Sequence, residues 1–280
     1  ANTTGAGNTA MGYGALSAVT TESNNTAVGR NTLLVSTGAD NTAIGSAALA
    51  ANTTGTLNTA VGYISLDANT TGNYNTGLGY GALSANTTAA NNVAVGANAL
   101  YVSTTGANNT AVGKSALLSN TTGSENTAVG QNALDANTTG QGNTCMGQSS
   151  LSANTTGGTN VAIGVDALNA NTTASNNVAV GKSALAANTT GANNTALGKS
   201  ALYTNTGSGD NTAIGFQALY TSAGARNTAL GHNALFNNTT ADNNVAVGKD
   251  ALEANTTGTQ NVAVGTYALD ANTTSSNSTA

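Results

Sequence analysis

Residues 181–198 read GKSALAANTTGANNTALG, and close variants of this stretch fill the chain of 280 residues. Each copy ends on a glycine that follows an aliphatic residue, and thirteen of the fifteen intervals between these glycines are 17 residues, while two are 16. The sixteen glycines are Gly12, Gly29, Gly45, Gly62, Gly79, Gly96, Gly113, Gly130, Gly147, Gly164, Gly181, Gly198, Gly215, Gly231, Gly248 and Gly265. A short period kept along a whole chain predicts a solenoid, in which each coil buries its apolar face against the next coil.

Alternating residue types predict two short strands in each coil. Thr59, Ala60 and Val61 are typical of the first strand, which has Thr or Val, then a tiny residue, then an aliphatic residue before the glycine. The Thr/Val and aliphatic positions share one face, which we expect to be the core face. A leucine follows every glycine by four residues in an Ala-Leu-x-Ala pattern, which predicts the second strand. Asn-Thr-Thr-Gly, as at residues 137–140, predicts a turn.

These patterns predict an all-β fold, a parallel β-roll of about 16 coils that forms one continuous array over residues 1–280. Helical repeats are disfavoured, because every unit carries glycine, asparagine and β-branched residues. Disorder is the rival interpretation of a chain so rich in Asn, Thr and Gly. A leucine at all sixteen equivalent positions favours a packed fold instead.

The tiny position of the first strand suggests that more than one chain is involved. It is Ala in fourteen of sixteen copies, Gly in one and Cys in one, whereas a freely solvated face would tolerate long polar side chains. We therefore predict a parallel homotrimer whose small residues face the axis. The residues predicted at this axis include Ala60, Gly77, Ala94, Ala111, Ala128 and Cys145.

The composition excludes several partners. Charged residues make up 6% of the chain, and the formal net charge is −5 with only six Lys and Arg residues. Nucleic acid binding needs clustered basic residues, which six cannot provide over 280 positions. No apolar run is long enough for a membrane-spanning helix, so we expect no membrane insertion by this segment. The chain begins and ends inside a copy, and we expect it to be part of a longer fibre.

Groups that could perform catalysis are scarce. The chain has one histidine, His232, and one cysteine, Cys145, which we interpret as a small packing residue. A nucleophile, a base and an orienting group cannot be assembled from them by any known spacing, so we expect no enzymatic activity. No Asp-rich glycine nonapeptide occurs, and we expect no metal and no cofactor.

Two columns of asparagines recur along the units. The asparagine just before each first strand is present in all sixteen copies, and stacked amides there predict a hydrogen-bonded ladder. The second column begins Asn-Thr-Thr, a glycosylation acceptor pattern that would form a row along one edge, although turn chemistry alone also explains it. The acceptor candidates are Asn52, Asn69, Asn86, Asn120, Asn137, Asn154, Asn171, Asn188, Asn238, Asn255 and Asn272.

Aromatic residues cluster where the repeat is least regular. Tyr203, Tyr220 and Phe236 occupy one column in three successive units, and Phe216 lies in a neighbouring column. Rings one coil apart on an outer face can bind sugar rings or a partner protein, and they can also simply stabilise the sheet. We therefore treat these four residues as a candidate ligand patch.

The unit Gly-x-x-Ala-Leu-x-Ala-Asn-Thr-Thr-Gly-x-x-Asn-Thr-Ala-Val-Gly resembles the head repeats of trimeric autotransporter adhesins, and it is similar to the β-roll repeats of bacteriophage tail fibres. Residues 92–96 and 160–164 carry the match most clearly, as NVAVG and NVAIG. The resemblance implies a left-handed parallel β-roll assembled as a trimer. The unit is about three residues longer than the usual head repeat, and neither neck, stalk, anchor nor chaperone domain is present in these residues.

These observations favour an extracellular fibre segment on a cell surface or virion, which holds a binding tip away from the surface or adheres itself. Its partners would be further copies of the chain, and a surface glycan or host receptor is a further candidate partner for the aromatic patch. Two alternatives remain: an ice-binding β-roll, because Thr-Thr occurs in nearly every coil, and a self-assembling matrix filament with glycans on the Asn-Thr-Thr edge.

Overall fold

The computed structural model describes residues 2–280 and divides the chain into two compact units, Ala1–Gly142 and Asn143–Ala280. Each unit is a parallel β-solenoid with a period of 17 residues, and no helix occurs in the described part of the chain. The in-register stacking predicted from the repeat is therefore confirmed within each unit. The single array over residues 1–280 stays a prediction.

Each coil contributes one strand of three residues. The strands of the first unit are β1 (Thr9–Met11), β2 (Thr26–Val28), β3 (Thr42–Ile44), β4 (Thr59–Val61), β5 (Thr76–Leu78), β6 (Val93–Val95), β7 (Thr110–Val112) and β8 (Thr127–Val129). Those of the second unit are β9 (Thr144–Met146), β10 (Val161–Ile163), β11 (Val178–Val180), β12 (Thr195–Leu197), β13 (Thr212–Ile214), β14 (Thr228–Leu230), β15 (Val245–Val247) and β16 (Val262–Val264). Within each unit, successive strands pair in parallel at equivalent positions, as Thr59 does with Thr76.

The leucine segment is not a second strand, so that prediction was wrong. Leu66 has a φ of 52°, and the equivalent leucines also lie in the left-handed region, where a strand cannot continue. The segment is a turn that still bonds to the next coil. The backbone N–H of Leu66 donates to the carbonyl oxygen of Ala82 at 3.0 Å, and that of Ala68 donates to Ser84 at 3.2 Å. Backbone hydrogen bonds between coils therefore form in the leucine segment as well as in the strands.

The strand faces are the reverse of those predicted. The central alanine of each strand from β2 to β16, or its Gly or Cys replacement, is buried inside the coil. The leucines of the repeat from Leu16 to Leu252 are buried with it. The aliphatic residue before the glycine lies outside, with exposed fractions of 41% at Ile44 and 44% at Leu197. The residues predicted at a trimer axis are interior residues instead: Ala60, Gly77, Ala94, Ala111, Ala128 and Cys145.

The narrowness of the coil explains this reversal. A Cβ atom placed on Gly77 would lie 2.6 Å from the hydroxyl of Ser65 and 3.5 Å from a methyl carbon of Leu66, both on the opposite wall. The opposite side of the coil therefore leaves room only for a small side chain, which is alanine in most coils and cysteine at Cys145. Valine, isoleucine and leucine must consequently occupy the outer face of the strand.

The glycine after each strand is required by the same close stacking. Gly62 has a φ of 137°, which non-glycine residues rarely adopt, and a Cβ atom there would overlap the carbonyl oxygen of Gly79 in the next coil. This explains why the glycine column has no exception in the sequence.

The assignment of faces predicts opposite responses to similar enlargements. Ala111→Leu should overpack the coil interior and lower the free energy of unfolding by about 1–3 kcal/mol. Val112→Leu enlarges the neighbouring outward side chain, in a column that already contains leucines, and should change stability by less than about 0.5 kcal/mol. Denaturant unfolding followed by circular dichroism measures both. Equal losses for the two variants would contradict the assignment.

Candidate functional site

The asparagines that precede the strands form a buried ladder, as predicted. The Oδ1 of Asn58 accepts a hydrogen bond from the backbone N–H of Asn75 at 2.9 Å, and its Nδ2 donates to the carbonyl oxygen of Gly72 at 2.8 Å. Asn41 and Asn75 make equivalent bonds, and the side chains have no exposed surface. Each amide therefore links the turn of one coil to the strand entry of the next.

The asparagines of the Asn-Thr-Thr turns form a second buried ladder. The Nδ2 of Asn69 donates to the Oδ1 of Asn52 at 2.8 Å and to the carbonyl oxygen of Gly72 at 3.1 Å. A glycan on these amide nitrogens would require the ladder to open, and glycosylation of the row stays a prediction. The buried members are Asn52, Asn69, Asn86, Asn120, Asn137, Asn154, Asn171, Asn188, Asn238 and Asn255. Asn272 is only half-buried but makes the same two kinds of bond.

Serine interrupts the second ladder. Twelve coils have asparagine in this column, the first coil has Val19, and the remaining three have Ser36, Ser103 and Ser222. The Oδ1 atoms of Asn86 and Asn205, which precede Ser103 and Ser222, are buried and accept no hydrogen bond. Serine is too short to bridge to the coil before it. The sequence carries this signal, since the three serines depart from the Asn-Thr-Thr pattern.

Restoring the missing amide should stabilise the first unit. Ser103→Asn would place an Nδ2 near the unpaired Oδ1 of Asn86 and an Oδ1 near the Nδ2 of Asn120. We expect a gain in the free energy of unfolding of about 1 kcal/mol, the usual contribution of a buried hydrogen bond. The matched control, Asn69→Ser, should lose at least a comparable amount. Thermal unfolding compares the variants, and a destabilised Ser103→Asn protein that retains its fold would refute the ladder account.

The candidate ligand patch divides into two separate stacks. Tyr203 and Tyr220 are stacked with centroids 5.2 Å apart and planes 9° apart, and Tyr220 and Phe236 with centroids 5.1 Å apart and planes 10° apart. We call these three rings the aromatic ladder. Phe216 is not part of it: Phe216 stacks on His232 at 5.2 Å, and the Nζ of Lys199 lies 5.7 Å from the centroid of the phenylalanine ring.

A cavity of about 260 Å³ adjoins one end of the aromatic ladder. It is lined by Asp166, Asn169, Ser183, Ala186, Ala187 and Tyr203. Ala186 occupies the column of the ladder one coil before Tyr203, so a methyl group stands where the next ring would be. The aromatic column was visible in the sequence, but the cavity was not, because its walls come from two further columns.

A charged cluster follows the Phe216 stack. The Nζ of Lys249 lies 3.2 Å from the Oδ2 of Asp250, and the Nδ1 of His232 lies 3.6 Å from its Oδ1. Burial alone would raise the pKa of Asp250, but hydrogen bonding and charge from Lys249, with contributions from Asn233 and His232, hold that pKa below its ordinary value. The cluster therefore keeps a largely buried carboxylate ionised at neutral pH.

Within the described residues, no three His, Cys, Asp or Glu side chains come close enough together to hold a metal ion. The same residues contain no helix that could cross a membrane. Compared with known protein families and with curated proteins, the sequence matches none.

Proposed function

We propose that this chain is a non-enzymatic shaft segment of an extracellular fibre, which associates in parallel with copies of itself through the outer face of its strands. The fibre would stand on a cell surface or virion and hold or form a surface-binding element. The observation that supports this proposal most strongly is the outward row of aliphatic residues before the glycines.

This row is unusual for an outer surface. One side chain per coil is Val, Ile, Leu or Met, and six of them have exposed fractions between 36% and 61%: Ile44, Met146, Ile163, Leu197, Leu230 and Val264. The adjoining outward column of the strands adds Thr or Val, including Val93 and Val178 with about a third of their surface exposed. A contiguous apolar strip of this kind is typical of an interaction surface.

A second copy of the chain is the partner that fits this strip best. The strip repeats with the coil period within each unit, and a parallel copy has the same period, so that every coil could meet an equivalent coil. Rotation about an axis parallel to the solenoid axis brings identical strips together and closes the assembly. We propose three copies, the number implied by the resemblance to trimeric fibre repeats.

Molar mass by light scattering tests the assembly. The chain should elute with a mass near three times its 27.0 kDa. The double variant Leu197→Lys and Leu230→Lys should shift it towards one chain, because lysines placed in an apolar contact are costly to desolvate. The control Thr173→Lys and Thr190→Lys adds the same charge at exposed threonines outside the strip and should leave the mass unchanged. A stable wild-type protein with the mass of one chain would refute the proposed assembly.

Ice binding is a second candidate, supported by one observation. In the first unit the second threonine of the turn is exposed in six successive coils: Thr54, Thr71, Thr88, Thr105, Thr122 and Thr139. The first threonine is less available, since its hydroxyl often donates to the next coil, as Thr53 does to the carbonyl oxygen of Thr70 at 2.9 Å. Measured thermal hysteresis would favour this candidate. A fibre shaft should produce none.

A further inference from the structure

We infer that the cavity beside Tyr203 is a binding site for a neutral hexopyranose, which extends the aromatic ladder by one ring. The site lies outside the strand face proposed for assembly, because its residues belong to the columns two, five and six places after the glycine. The inference therefore does not depend on the number of chains.

The aromatic ladder leaves one ring face available. Tyr220 covers one face of Tyr203 with nearly parallel planes, and Tyr203 also lines the cavity, which therefore borders its other face. In the preceding coil the same column holds only Ala186. At the opposite end of the ladder, Phe236 is followed in its column by Glu253 instead of a small residue. A flat ring can thus be added to the ladder at the Tyr203 end.

The rim of the cavity provides hydrogen-bonding groups without protein partners. Neither the carboxylate of Asp166 nor the hydroxyl of Ser183 has a hydrogen-bond partner in the described part of the chain, although the two residues occupy one column in adjacent coils. The Nδ2 of Asn169 donates to the carbonyl oxygen of Ser149 at 3.0 Å and to the hydroxyl of Ser152 at 2.9 Å. Its Oδ1 is left as an acceptor, so the rim is richer in acceptors than in donors.

A hexopyranose combines the features that such a site requires. The C–H bonds on one face of the sugar ring carry partial positive charge, which is attracted to the negative face of an aromatic ring. Its hydroxyl groups surround the ring and can donate to the carboxylate and to the amide oxygen. The volume of about 260 Å³ can accommodate one sugar ring. The carboxylate of Asp166 disfavours an anionic sugar.

Saturation-transfer NMR with the full chain tests the inference. The probes are the methyl glycosides of glucose, galactose, mannose and N-acetylglucosamine, measured separately. At least one should bind saturably with a Kd on the order of 1–10 mM, as expected for a ligand of about a dozen non-hydrogen atoms. Its strongest signals should come from the C–H groups of one ring face. Binding should change little between low and high salt, since the ligand is neutral.

Two matched variants locate the binding. Ala186→Tyr fills the cavity with a protein ring and should weaken binding by about tenfold or more, which corresponds to about 1.4 kcal/mol. Glu253→Tyr lengthens the aromatic ladder at its other end and should leave binding unchanged. Circular dichroism and thermal unfolding check that both proteins fold. If Ala186→Tyr does not fold, Tyr203→Ala and Asp166→Asn replace it, and each should weaken binding severalfold.

Several outcomes would overturn the inference. These are the absence of saturable binding by all four glycosides, binding that survives Ala186→Tyr, or a loss of binding in Glu253→Tyr equal to that in Ala186→Tyr. A quaternary ammonium probe that binds in place of the sugars, with strong salt dependence, would assign the cavity to cations instead. A planar aromatic probe that binds while the sugars do not would also contradict the sugar assignment.

Discussion

Hydrogen bonds from buried asparagine side chains are the interaction on which the rest of this structure depends. Each coil turns sharply twice with no helix to pair its backbone groups, and the two asparagine columns satisfy carbonyl and N–H groups that the turns leave inside the coil. A buried polar group without a partner is costly, so the regular coil requires the amide at nearly every repeat. The side chain of asparagine is short and carries both a donor and an acceptor, which allows it to bond within one coil and to the next.

The asparagine amides inside the coil limit the size of the side chain that the strand can place there. One leucine and two asparagines already occupy most of the space, so the strand can bring in only an alanine, a glycine or a cysteine. The larger aliphatic residues are thereby left on the outer surface of the strand. The same constraint that closes the coil thus leaves an apolar strip outside, and the proposed association of chains follows from it.

The sequence alone predicted the period, the in-register stacking, the buried leucine and the hydrogen-bonded asparagines before the strands. It did not predict which strand face is inside, because alternation between Thr, Ala and Val is compatible with either orientation. Which face lies inside depends on the distance from the strand to the opposite side of the coil, such as that between Gly77 and Ser65. This distance cannot be obtained from the sequence of one repeat. The second strand was predicted from Ala-Leu-x-Ala, but the left-handed conformation of Leu66 and its equivalents has no signature in side-chain alternation.

The irregular coils show where specific features can arise in such a scaffold. Where the column five residues after the glycine changes from Asn169 and Ala186 to Tyr203, Tyr220 and Phe236, the regular coil acquires both a ring stack and a cavity. The buried leucines continue unchanged through these coils, although Ser222 replaces an asparagine in the coil of Tyr220. Variation in outward columns on a constant interior is how repeat proteins generate binding surfaces.

Hydrogen exchange of the asparagine side-chain amides, followed by ¹⁵N NMR after transfer to D₂O, tests the central claim most directly. Side-chain amides of exposed asparagines lose their protons quickly, whereas those in a buried ladder must wait for the coil to open. We predict a large set of slowly exchanging NH₂ groups from the two asparagine columns, whether the protein is a single chain or an assembly. Complete exchange of all asparagine side chains at the first time point, in a protein whose backbone amides remain protected, would contradict the account.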